Sequence, residues 1–184
     1  PHAAFHDLYK DMHAIGKAAY REYQVSQNSD FMVPDASACN YGFYHGFMIT
    51  LMSDSRDIFV AKKFCDSLPS SLIKNRPDSK NQCYHGIAHG FVEQYIAQSG
   101  TFEEDLDWVK KTERAAIQPA LKDCEAVSSD QTQLSNCYSG AFHEIAMLSE
   151  DRGWAMDPEN PLWLCEETEQ PYRANCAGNM DRLL

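Results

Sequence analysis

Three segments of this chain set a cysteine, a glycine and a histidine on one spacing. They read CNYGFYHG from Cys39, CYHGIAHG from Cys83 and CYSGAFHE from Cys137, and all share C-x-x-G-x-x-H. A fourth, CAGNMDRLL from Cys176, keeps the cysteine and has lost the histidine. Neutral imidazoles are ligands for Zn, Fe, Cu or Ni, so His45, His89 and His143 would form a metal set if their segments met around a common centre. His13 on the first helix is a candidate fourth ligand. Glu93, four residues after His89, and Glu144, directly after His143, are candidates for a ligand, a partner to a ligating imidazole or a general base. His85 has no counterpart in the other segments. With Tyr44 and Tyr84 it makes up a second group that could contact a bound cofactor, haem included.

The same spacing has a purely structural reading. A buried histidine is costly unless hydrogen-bonded, and a repeated packing unit copies its internal bonds along with its helices. On this reading the three imidazoles are internal hydrogen-bonding pillars of a non-catalytic binding or structural module. The two readings differ in whether the histidines meet.

What must position them is a set of helices. Residues three and four apart share a helix face, so Gly42 and His45, Gly86 and His89, and Gly140 and His143 stack in pairs. Glycine in a helix costs about 1 kcal/mol relative to alanine. Five of them, at Gly42, Gly46, Gly86, Gly90 and Gly140, imply that another backbone or a ligand comes close. Phe47, Phe91 and Ile145 are the expected core contacts. Near the N-terminus Phe5, Leu8, Met12, Ile15, Ala19 and Tyr23 recur at helical steps, which predicts an amphipathic helix. The stretch from Thr101 opens with acids and predicts another, kinked or ended at Pro119. Residues 154–176 read as an irregular loop with one short helix starting near Pro161. Strand patterns are nearly absent. The sequence therefore predicts one all-α domain over 1–184, built from about three helix-pair repeat units with an N-terminal helix and a degenerate C-terminal unit.

Six of the seven cysteines fall into successive pairs, Cys65 with Cys83, Cys124 with Cys137 and Cys165 with Cys176, each bracketing a polar, turn-rich stretch. In each pair the first lies near a helix end and the second opens a new helix. A disulfide there would staple a helix to its successor and contribute roughly 3 kcal/mol. Six cysteines allow fifteen connectivities, so the local pairing is the expectation drawn from the repeat. There is no close C-x-x-C pair for zinc and no C-x-x-C-H for covalent haem. Disulfides place the chain in an oxidising compartment, secreted or periplasmic. Cys39 is left over and could link or mark a homodimer.

The chain has 184 residues, 16 Lys and Arg against 27 Asp and Glu, and a net charge of −11. That field repels nucleic acid and anionic lipid. The small basic clusters AKKF and VKKTER read as solvated helix faces. No stretch approaches the ~20 apolar residues of a membrane span. The chain begins with Pro1, as a mature or trimmed product would. The expected partners are a metal ion or a small molecule.

The repeated CYHGxxHG and CYSGxFxE segments, with HAxGKAAY near the N-terminus, resemble a group of uncharacterised bacterial exported proteins. The resemblance spans most of the chain and implies an extracytoplasmic compartment without implying a chemistry. The chain departs from that group where Tyr9 and Lys10 stand in place of a Cys-His pair before His13. GFYHG and GIAHG are also similar, locally, to the G-x-x-H-G helices of lanthipeptide cyclases, which hold zinc. The chain is under half the length of such a toroid, so this similarity speaks to helix packing alone.

Overall fold

Met12, Gly16, Ala19, Tyr20 and Tyr23 fall on one face of the first helix, α1 (His2–Ser26), and turn toward the protein interior. This corrects the face expected from the apolar pattern, because Leu8 and Ile15 are 47% and 52% exposed. The physical reason is close approach: the buried face is centred on Gly16, which a hydropathy pattern does not register. A computed structural model describes residues 2–29, 32, 41–100, 105–152 and 157–180. Among them lie nine helices and no strand, so the fold is all-α. Phe5 and Cys39, with the expected role of Cys39 in a dimer, lie outside the residues whose side chains are described.

After α1 come α2 (Gly42–Ser55), α3 (Ile58–Asp66), α4 (Ser70–Asn75) and α5 (Ser79–Gln98). They are followed by α6 (Leu106–Val127), α7 (Gln131–Arg152), α8 (Trp163–Glu167) and α9 (Arg173–Met180). Helices α1, α2, α5 and α7 are successive neighbours, and α9 packs beyond α7. Their side-chain and backbone pairings run in the same direction along each pair: His13 with Gly46 and Tyr20 with Asp54, Tyr44 with Gly86 and Met48 with Gly90, His85 with Gly140 and His89 with Glu144. The four helices are therefore parallel.

Glycines set the spacing of this row. A Cβ on Gly16 would meet the Phe43 carbonyl, one on Gly46 the His13 carbonyl, and one on Gly140 the His85 carbonyl. On Gly86 it would come within 2.9 Å of the Tyr44 carbonyl oxygen. The close partner implied by the sequence is thus a helix backbone at each of these junctions. Phe47, Phe91 and Ile145 are fully buried behind them, in a cluster that runs from Tyr20 to Met180.

The three disulfides join Cys65 to Cys83, Cys124 to Cys137 and Cys165 to Cys176, as the spacing implied. The first fastens α3 to α5, the second α6 to α7, and the third α8 to α9.

Two local expectations need correction. Pro119 neither ends nor divides α6, which runs unbroken to Val127. The carbonyl it leaves without an N–H donor belongs to Ala115, on the exposed side, where water can serve it. VKKTER is not a solvated face throughout, because Val109, Thr112 and Glu113 are buried while Lys111 and Arg114 are exposed. Burial pushes the Glu113 carboxyl up to about 8, a shift opposed by Lys110. The C-terminal stretch carries α9 as well as the short helix expected near Pro161.

Replacing Gly140 with alanine should lower the urea midpoint, by an overpacking cost of about 1–3 kcal/mol that exceeds the gain in helix propensity. Gly178, with nothing within 4 Å of an added Cβ, should instead gain stability on the same change. Equal effects at the two sites would show that close approach does not set the Gly140 junction.

Candidate metal centre

The histidine of α2 lies in its first turn, where the backbone enters through Tyr41 in the left-handed region at φ 63°. The Tyr41 hydroxyl donates to Asp78 at the start of α5, tying the two helix origins together. On α5, His85 and His89 are one turn apart and share a face. On α7, Gly140 sits against His85, which brings His143 alongside. As a result the ligand nitrogens of His45, His85, His89 and His143 all lie within 4.8 Å of one another. The rings of His45 and His89 stack at 3.9 Å between centroids, and His143 meets both edge-on at 5.5 and 5.2 Å. Among the described residues this is the one His, Cys, Asp and Glu group spaced to hold a metal ion.

The three histidines of the shared spacing do converge, and His85 joins them. It takes the fourth place that the sequence assigned to His13. His13 is half-buried on α1 and stands at the edge, its ring 6.3 Å from that of His45. Two of the four imidazoles have visible outer supports. Nδ1 of His89 is hydrogen-bonded to the Glu144 carboxylate, and both side chains are buried. His85 bonds the Asn136 backbone, and its Nε2 lies 3.1 Å from Nδ1 of His143.

The remaining expected residues lie elsewhere. Glu93 is not in the group; it lines a groove between α2 and α5 with Ile49 and Arg56. The Tyr84 hydroxyl donates to Asp66 at 3.2 Å and lies 3.5 Å from Lys62, on the α3 side of α5. Tyr44 is fully buried next to Phe43, 5.9 Å between ring centroids.

Charge is disfavoured on three of the four imidazoles. Burial first, and then the other imidazoles, hold His45 and His89 well below the ordinary histidine value. Burial lowers His85 to about 4 against the pull of the Asn136 backbone. His89 is therefore neutral, and in the tautomer that donates to the Glu144 carboxyl oxygen the proton sits on Nδ1. Its Nε2 then carries a lone pair, and this atom is buried with no hydrogen-bond partner among the described residues. A carboxylate behind one nitrogen and a lone pair on the other is how ligating histidines are oriented.

No family model, curated protein or solved structure matches the chain. The site is therefore read from its own geometry.

Without metal, stability should fall in acid. The unfolded chain takes up protons on His85 near 6.5, whereas the folded chain takes them up only near 4. Between those values the unfolded state binds more protons, so stability present above about 6.5 is lost as pH drops toward 4. Urea midpoints of chelator-treated protein at about pH 7.5 and pH 5 test this. Equal midpoints would contradict the neutral, buried assignment, and His85→Gln should flatten the dependence.

Proposed function

We propose that this chain is a secreted or periplasmic metal-binding protein that holds one transition-metal ion between α2, α5 and α7. His45, His85, His89 and His143 are its ligands, and Glu144 fixes His89 from behind. The observation that carries this reading is the convergence of four imidazoles, three buried and that of His85 half-buried, with their ligand nitrogens within 4.8 Å of one another. Tetrahedral zinc with Zn–N bonds of ~2.0–2.1 Å needs nitrogens about 3.3 Å apart. The His85–His143 separation of 3.1 Å is already close to that, and the wider pairs need small side-chain adjustments to close on an ion.

An all-imidazole set suits zinc, copper, iron or nickel, and the Irving–Williams order places copper above zinc and iron at equal geometry. The mutual closeness of the rings favours a bare ion over haem, whose macrocycle would have to part them. Four protein ligands make a closed sphere, the form of structural and metal-holding sites, whereas catalytic zinc keeps a position open. The reading is thus of a protein that stores, carries or is held together by its ion, and no catalytic step is assigned. The disulfides are compatible with an oxidising compartment. Among the described residues no helix is long and apolar enough to cross a membrane.

The pillar reading accounts for the His89–Glu144 and His85–His143 bonds. It leaves the buried Nε2 of His89 unexplained.

Elemental analysis of protein from an oxidising compartment, purified without chelator, should find about one transition-metal ion per chain. His89→Ala and His45→Ala should lose it, and Glu144→Gln should weaken affinity by about 10–100-fold. Metal at a thousand times its Kd should raise stability by about 4 kcal/mol over chelated protein. Metal content that is negligible, or unaltered in the histidine variants, would leave the pillar reading standing.

A further inference from the structure

Helix α1 is the outer member of the parallel row and packs on α2. Its other side faces solvent, where Asp11, Ala14, Ile15, Ala18, Arg21 and Val25 are all exposed. Asp11, Ala14, Ala18, Arg21 and Val25 follow one another at three- and four-residue steps, which sets them in a stripe opposite the buried Gly16. Val25 is 85% exposed, and Leu8 and Ile15 flank the stripe on one side at 47% and 52%. Large apolar side chains gathered on one exposed face mark an interaction surface.

The charges of this face have no complement in their own chain. One turn to either side of Asp11 stand Asp7, Leu8, Ala14 and Ile15, and around Arg21 stand Lys17, Ala18, Gln24 and Val25. Asp11 and Arg21 make no hydrogen bond or ion pair among the described residues. Yet the two are centred on the same point of the helix as Ala14 and Ala18. A second α1 laid antiparallel across that point meets Ala18 with Ala14 and Arg21 with Asp11, and does so twice. Each copy supplies the charge that the other lacks, which is the self-complementarity a two-fold interface requires. The two small side chains let the helices approach at the crossing, and Ile15 of each copy comes beside Ile15 of the other on one flank.

The sign of the field selects the same face. The chain carries −11, so most approaches of one copy to another are repelled. Between Leu8 and Val25, however, Lys10, Lys17 and Arg21 outnumber Asp11 and Glu22. We propose that α1 is a self-association surface on which a second copy of this chain docks, through antiparallel α1 helices crossing at Ala14 and Ala18 with reciprocal Asp11–Arg21 ion pairs. One helix from each copy makes a small interface, so the dimer is a weak one that forms with concentration. The histidine group takes no part, and the pairing does not rest on the metal reading.

Sedimentation equilibrium of the intact protein from about 5 to 500 μM tests it, a range suited to a small interface. Chelator is present throughout, so that no ion bridges two copies. The mass should rise from monomer toward dimer across this range. Ala18→Glu should abolish the rise while leaving the melting temperature at the lowest concentration unchanged, because the position is exposed in the monomer. Asp11→Arg and Arg21→Asp should each weaken association about tenfold, by setting like charges opposite one another at both pairs. The double variant Asp11→Arg/Arg21→Asp should restore it, since antiparallel pairing swaps both partners together. A monomer at every concentration, a dimer undiminished in Ala18→Glu, or a double variant as weak as the single ones would overturn the proposal. So would a dimer that survives denaturing electrophoresis without reductant, which would assign it to Cys39.

Discussion

Backbone-to-backbone contact between parallel helices is the constraint on which the rest depends. Helices with ordinary side chains at their crossing lie 8–10 Å apart. At Gly46, Gly86 and Gly140 the missing Cβ lets the carbonyl of the preceding helix occupy its place. Each glycine is within three residues of a histidine of the group, and at the α5–α7 junction the carbonyl it meets is that of His85 itself. The same contacts that shorten the interhelical distance therefore place imidazoles from α2, α5 and α7 within reach of one another. A wider row would leave three separate histidines, each needing its own hydrogen bonds.

The disulfides act on the same geometry from the other side. Cys83 lies two residues before His85, and Cys137 follows Asn136, whose backbone holds His85. Two covalent links thus anchor the helix turns from which the ligand-bearing segments start. Burial then does the electrostatic part. Four imidazoles this close cannot share several protons, and removal from water keeps those of α5 and α2 neutral.

Much of this was legible in the sequence, and for a definite reason. The C-x-x-G-x-x-H spacing encodes the staple, the close approach and the ligand together on one helix face, so reading it gave the disulfide pairing, the all-α fold and three of the four histidines. What it could not give is which helix faces which. His85 outranks His13 because α5 sits between α2 and α7, whereas α1 packs on the outer side of α2. Glu144 rather than Glu93 supports the group because it reaches His89 from a different helix, a relation no local spacing records. The exposed Leu8 and Ile15 and the buried Glu113 have the same origin. Hydropathy describes a residue, but here neighbours decide which face of α1 or α6 is covered.

The parallel row has one further electrostatic consequence. Helices aligned side by side set like ends of their macrodipoles together, which is unfavourable at both ends of the row. Cys65 and Cys124 stand in the last turns of α3 and α6, and their partners Cys83 and Cys137 in the second turns of α5 and α7. Each of these two disulfides therefore sets the partial negative end of one helix against the partial positive end of the next. The covalent link that holds the chain together also fixes a head-to-tail dipole contact, and reducing it would release both.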